Sequence, residues 1–316
     1  MKLTDTLSNG DNQPTSARAF VPGHITGFFR IYDEDENPLK CGSIGAGFSV
    51  EIGTYTTVSI SESKSLDITT IYNDRRVNAI VTKTVVKRLA EVSERNFKVV
   101  VRHESSLPSG AGFGASGAGA LGTALALGHL LEPSLSTFDA AKFAHSAEIE
   151  NHTGLGDVIA QTYGGFEIRV RHGSPGVGEV VKIDSPKDLQ VVLAGDTGLE
   201  TKDVLTNPKS RTRINSVGDR LVDEMIANRN LETFIACSRE FADTIGLETK
   251  RVTKALRELD DLSLSQSSMV MLGDSLFCLC NSKQVELVES ILGSYWKRSQ
   301  VMSTTISEKG GRLVSW

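Results

Sequence analysis

The sequence has only four cysteines, Cys41, Cys237, Cys278 and Cys280, and none forms a C-x-x-C pair. A structural zinc site needs more ligands at closer spacing, so these thiols are expected to be reduced and mostly buried. Basic residues are not in excess either: the net charge is −5 and the pI is near 5.8. A nucleic-acid binder normally carries a basic stripe or domain. No apolar run reaches the roughly 20 residues that a membrane span needs. The longest, Gly117–Leu131, is glycine-rich and reads as a buried helix. Met1–Gly10 is polar and lacks the apolar stretch of an export signal. We therefore expect residues 1–15 to be a flexible tail and the protein to be cytoplasmic, with no membrane or nucleic-acid partner.

Length favours two domains over one. Residues 17–31 read as two short strands broken at Pro22-Gly23. Strand-forming sequence returns over Ser43–Ser61, with Gly45, Gly47 and Gly53 as bends or bulges, and over Leu66–Tyr72. The period then changes. Val77, Ile80, Val81, Thr84, Val85, Leu89 and Val92 share one face of an amphipathic helix. A strand follows over Phe97–Arg102, then helices over Ala115–Leu131 and Thr137–His152, the second with Thr137 as N-cap. Phe166–Val170 is the next strand. Composition shifts at Gly173–Gly178, and a domain boundary is expected near residue 185. Beyond it come strand Leu189–Ala194, helices within 202–262, strands Ser268–Leu272 and Ser275–Cys280, helix Lys283–Gly293 and strand Ser299–Thr305. That β-α-β-β-α-β order fits a ferredoxin-like layer. The expected architecture is α+β, with residues 16–185 as the N-terminal domain and 186–316 as the C-terminal one.

The run Gly110-Ala-Gly-Phe-Gly-Ala-Ser-Gly-Ala-Gly119 invites three readings. A Walker loop needs a lysine to reach the phosphates, and no lysine occurs between Lys98 and Lys142. Gly112-Phe-Gly114-Ala-Ser-Gly117 matches the letters of a dinucleotide fingerprint. That fingerprint also needs a strand directly before it and an acid-bearing strand after its helix. Here the strand is set back, and the helix leads into another helix. The third reading is an anion-binding loop at a helix N-terminus. Glycines let backbone N–H groups approach phosphate oxygens there, and the helix dipole favours negative charge. Ser116 stands where its hydroxyl could ligate a phosphate-bound Mg²⁺. A glycine-rich turn that merely lets elements pack closely is the bland alternative.

Glu148 and Asp157 lie nine residues apart, on a helix and on the glycine-flanked turn after it. Phosphoryl transfer to a hydroxyl needs a metal beside the phosphates and a carboxylate near the attacking oxygen. These two acids could supply both needs separately. An ordinary solvated acidic helix end is the other reading.

Pro108-x-x-x-Gly112-Phe-Gly114-Ala115-Ser116-Gly117-Ala118 resembles the P-x-x-x-G-L-G-S-S-A-A signature of the GHMP kinases. Ala115 replaces the first serine of that signature, and Ser116 keeps the second. Glu148 to Asp157, continuing to Tyr163-Gly-Gly165, is similar to the family's helix glutamate and loop aspartate. Ala19–Phe29 occupies the place of its first motif, with His24 where many members have lysine. Pro22-Gly-His-Ile-Thr-Gly-Phe-Phe29, followed by Gly42–Gly47, is similar to the archaeal pantoate kinase branch. The third motif is reduced to Met271-Leu-Gly273-Asp-Ser275. The resemblance implies a two-domain fold, S5-like then ferredoxin-like, and ATP and Mg²⁺ as cofactors. It implies an ATP site over Pro108, Gly110, Ala111, Gly112, Phe113, Gly114, Ala115, Ser116 and Gly117. Ser116 and Glu148 are the implied metal ligands, and Asp157 completes the catalytic set as base.

Pantoate, the acceptor the resemblance implies, is a small branched hydroxy acid. Its site needs donors for a carboxylate and hydroxyls, and apolar walls for the methyl groups. By resemblance the candidates are His24, Ser43, His145, Arg169 and Thr201. Arg169 is the expected carboxylate clamp because its planar fork matches that geometry. The bland counterparts are a satisfied core histidine, a surface ion pair and helix caps. Mevalonate or homoserine as acceptor is the rival expectation. A non-catalytic ligand sensor is a further one, disfavoured by the presence of both Glu148 and Asp157. Family likeness also makes a homodimer plausible.

Overall fold

The computed structural model describes residues 15–198, 201–271 and 274–315. Residues 1–14 of the expected tail, Leu272 and Gly273 of the third motif, and the Thr201 side chain lie outside the described residues.

Strands β1 (Ser16–Tyr32) and β2 (Gly42–Glu62) form one long antiparallel pair. The expected break at Pro22-Gly23 is instead a register shift within a continuous strand. Proline has no N–H to give to the ladder, and Glu51 and Ile52 of β2 bulge opposite it. After β3 (Asp67–Tyr72) and the two-residue β4 (Arg75–Arg76) comes α1 (Ile80–Ser93). It starts later than the apolar period suggests because Thr70 holds Val77 in a turn. The Val77 N–H donates to the Thr70 carbonyl, and the Thr70 hydroxyl donates to the Val77 carbonyl. In β5 (Phe97–Ser105), Phe97, Val99, Val101 and His103 point inward while Lys98 and Glu104 face water.

Helix α2 (Ala115–Leu131) is buried almost all round, which explains its unbroken apolar composition. Its glycines admit it closely onto the sheet: a methyl group on Gly122 would stand 2.5 Å from Thr56 Oγ1. Helix α3 (Thr137–Asn151) is capped by Ser136, whose hydroxyl accepts from the Asp139 N–H, and not by Thr137. Asp157 does not sit on a turn. It is the first residue of α4 (Asp157–Tyr163), a short helix the sequence period does not reveal.

The Gly173–Gly178 segment connects β6 (Phe166–Arg171) to β7 (Glu179–Ile183), an antiparallel hairpin of the same sheet. Next come β8 (Gln190–Gly195), α5 (Thr201–Thr206), α6 (Pro208–Ala227), α7 (Leu231–Ile245) and α8 (Lys250–Asp261). The chain ends through β9 (Ser267–Met269), β10 (Ser275–Cys280), α9 (Val285–Leu292), β11 (Val301–Thr305) and β12 (Arg312–Val314).

Among the described residues the strands form two sheets. The larger has the order β12-β1-β2-β5-β3-β4, with β6 on β2 and β7 on β6. The smaller has the order β11-β8-β10-β9, antiparallel throughout. Counting from β8, that is fourth, first, third, second, the pairing of a split βαβ layer. The larger sheet recruits β12 from the far end of the chain, which the sequence reading did not anticipate.

The two sheets share a core. Phe48 on β2 packs edge-on against Phe277 on β10 at 5.3 Å, and Phe166 against Phe234 on α7 at 4.7 Å. No helix of the described residues is long and apolar enough to cross a membrane. All four cysteines are free and buried.

Candidate active site

The glycine loop ends at the N-terminus of α2. Gly114 is its N-cap residue, left-handed at φ 70°, and no side chain caps the helix among the described residues. The first-turn N–H groups are thus available to an anion. A side chain at Gly114 would be strained and would meet Gln161 Nε2 at 2.9 Å. Gln161 in turn donates to the carbonyls of Pro22 and Gly114, both at 2.9 Å, and ties the loop to β1 and α4.

Ser116 lies in the first turn of α2, and its hydroxyl donates to Glu148 Oε1 at 2.6 Å. Glu148 is 1% exposed, and its Oε2 has no hydrogen-bond partner among the described residues. Burial raises its pKa to about 7, and the neighbouring Asp157 charge adds to this against the Ser116 hydrogen bond. A methyl group on Gly154 would collide with Oε2, so the glycine keeps that oxygen's approach clear. An orphaned carboxylate oxygen beside a hydroxyl fits a divalent cation. No cluster of three or more His, Cys, Asp or Glu suited to a metal occurs among the described residues.

Asp157 opens α4, where the helix dipole favours its charge. Behind it stands His24, which is fully buried. Its Nδ1 lies 2.8 Å from Asp157 Oδ1 and its Nε2 lies 3.2 Å from Glu167 Oε1. Glu167 Oε1 also accepts from Arg169 Nη1. Burial alone would lower the His24 pKa, but the Glu167 charge and the Asp157 hydrogen bond outweigh it, and the net direction is upward. Arg169 is 1% exposed, and its Nε is unpartnered among the described residues.

Two adjoining cavities meet here. A cleft of about 590 Å³ runs over residues 108–110 and 112–116, past Tyr72, Thr82 and His103. A small cavity of about 20 Å³ is lined by Thr26, Ser43, residues 154–157, Arg169, Leu205 and Met271. Asp157 and Met271 line both.

The structure thus brings together Ser116, Glu148, Asp157, His24, Ser43 and Arg169. Of the expected ATP-site residues, Pro108, Gly110, Gly112, Phe113, Gly114, Ala115 and Ser116 line the cleft. Ala111 is buried, and Gly117 packs against Gln161 and Asp157. His24 faces neither cavity. His145 also stands apart: its Nε2 bonds to the Cys41 carbonyl at 2.9 Å, and burial lowers its pKa to about 4.

The profile of the GHMP kinases N terminal domain matches residues 79–165. A pantoate kinase of Thermococcus kodakarensis is 36% identical over 282 residues, 87% of this chain and 91% of its own. The pantoate kinase of Methanocaldococcus jannaschii is 35% identical, covering 86% and 96%. The chain belongs to the pantoate kinase family of the GHMP kinases. Among solved structures, a phosphotransferase related to the CoA biosynthesis pathway superposes with TM-score 0.84 at 32% identity, over 95% and 99% of the two chains.

Against this pantoate kinase frame, three contributors escaped the sequence reading. Glu167 shares a strand face with Arg169, and the alternation of charged residues at 167, 169 and 171 with apolar ones was its signal. Thr26 was visible inside the first motif but carried no mark of a cavity position. Lys202 lines the cleft from α5 and brings a cation where the loop itself has none. It lies outside any motif, and no sequence signal marked it.

Proposed function

We propose that this chain transfers the γ-phosphoryl group of ATP to the primary hydroxyl of pantoate, giving 4-phosphopantoate for coenzyme A synthesis. One observation carries the reading: Asp157 lines both the cleft over the glycine loop and the small cavity that holds Ser43 and Arg169. A carboxylate at the junction of a phosphate cleft and an acceptor cavity is where in-line transfer needs one.

In this reading the ATP phosphates lie over residues 110–117, against the α2 N-terminus. Ser116 and Glu148 would hold Mg²⁺, which would supply charge neutralisation for the phosphates. Arg169 binds the pantoate carboxylate as a planar fork, with Ser43 as a further donor. Asp157 orients the hydroxyl and takes its proton. A bond forms between that oxygen and the γ-phosphorus, the bond to the bridging oxygen breaks, and ADP leaves with the electron pair. Most of the acceleration comes from positioning and electrostatics. The division of the chain near residue 185 belongs to the same proposal.

The test is ADP release with pantoate, mevalonate and homoserine side by side, with mass spectrometry of the product. A phosphorylated product from pantoate alone is expected. Turnover of another acceptor with pantoate silent would overturn the reading, and no turnover of any would favour a sensor.

A further inference from the structure

His24 is buried and lines neither cavity, yet both its ring nitrogens face carboxylate oxygens. A neutral imidazole has one N–H and one lone pair. One of its nitrogens would then point a lone pair at a carboxylate, in a place closed to bulk solvent. Glu167 Oε1 already accepts from Arg169, so it needs a donor from Nε2. Asp157 is the exposed member, with 17% of its side chain accessible, and an ionised carboxylate costs least there. The geometry therefore calls for an N–H on both nitrogens. Among the described residues the charged groups meeting the ring are Asp157 from α4 and Glu167 from β6, with Arg169 one contact further. The Thr26 hydroxyl lies 3.5 Å from Nδ1.

The surroundings hold this ring in one place. A methyl group on Gly47 would stand 2.7 Å from Nε2, and one on Gly114 would stand 3.2 Å from the His24 Cβ. The His24 N–H donates to the Phe113 carbonyl at 3.1 Å, fastening its backbone to the glycine loop. Asp157, His24, Glu167 and Arg169 then form one chain of alternating charge.

We propose that His24 is not a substrate contact but the positioning residue of Asp157, an imidazolium anchored by Glu167 that fixes the aspartate's orientation. The chain through Glu167 to Arg169 links the proposed proton acceptor to the proposed anion clamp, both of which line the small cavity. The inference rests on the phosphotransfer reading above, and its test separates the two.

The test is a double-substitution cycle on full-length protein with ATP and pantoate. His24→Asn is expected to lower kcat by about 10- to 100-fold, with the ATP KM nearly unchanged. In an Asp157→Asn background the same substitution is expected to change kcat by less than about twofold, because a residue acting through Asp157 has nothing left to act on. An equally large loss in both backgrounds would mark a structural role and overturn the proposal. Should His24→Asn fail to fold, the isosteric Glu167→Gln runs the same cycle. Nitrogen-15 NMR of the histidine rings in substrate-free protein, assigned with these variants, is expected to show two protonated nitrogens on His24 at pH 7. A ring with one bare nitrogen would overturn the proposal even if pantoate is turned over. If another acceptor is the true substrate, the NMR result still stands and the cycle is run on that acceptor.

Discussion

Ser116 Oγ and Glu148 Oε1 are 2.6 Å apart, joining the first turn of α2 to the last turns of α3. The contact leaves the other Glu148 oxygen buried and unpaired. Burial therefore raises the Glu148 pKa, which gives the first prediction its sign.

Burial lifts Glu148 from an ordinary 4.5 to about 7. Between those values the folded chain keeps a proton that the unfolded chain has released, so stability falls as pH rises through that window. The effect is at most about 3 kcal/mol. Thermal melts of metal-free protein should show the Tm of wild type dropping from pH 5 to 7.5. Glu148→Gln should flatten that slope and melt higher than wild type at pH 7.5. An identical slope in both proteins would refute it.

His103 and His145 act in the opposite sense. Burial lowers each from 6.5 to about 4. Below 6.5 the unfolded chain binds protons that the folded chain refuses, so stability is lost as pH falls toward 4. The double variant His103→Gln, His145→Gln should lose less Tm than wild type between pH 6.5 and 4.5.

Asp157→Ala should reduce kcat by about 10²- to 10⁴-fold while leaving ATP affinity and the circular dichroism spectrum intact. Full activity in a folded Asp157→Ala protein would remove the residue from the mechanism.

Arg169 cannot simply be deleted, because Glu167 would be left buried without that partner, a loss on the order of 3–5 kcal/mol. Arg169→Lys keeps the charge but not the fork. It should raise the pantoate KM by about tenfold or more with little change in the ATP KM. An unchanged pantoate KM would exclude Arg169 as the carboxylate clamp.

Gly154→Ala puts a methyl group onto Glu148 Oε2 without altering any charged residue. The Mg²⁺ concentration for half-maximal rate should rise by about tenfold, as expected when a metal-binding oxygen is displaced. Titration of Mg²⁺ at fixed ATP reads this directly.

Much of the site was legible because its chemistry is local. The glycines of residues 110–119, the Ser116 hydroxyl and the acids at 148 and 157 lie within one stretch. Each residue type has few reasons to occur in that pattern. Glu167 was not legible in the same way. Its significance comes from β6 pairing with β2, which sets it beside His24 from β1 across a long sequence gap. The α4 helix escaped because seven residues cover too little of an amphipathic period, and the β1 bulge because Pro22 looks like a terminator when read alone. The smaller layer was legible in element order, while its fourth-first-third-second arrangement is a property of pairing.

Strand β12 pairs Arg18 with Val314 and Phe20 with Arg312, joining the two ends of the described chain along one edge of the larger sheet. A ribosome adds about 5–20 residues each second. The free edge of β1 therefore waits on the order of tens of seconds for its partner strand to emerge, and an unpaired edge of that length can template the wrong neighbour. Expression at lower temperature, or with a chaperone that shields β1, should favour the folded yield of this protein more than that of chains whose strands pair in order of synthesis.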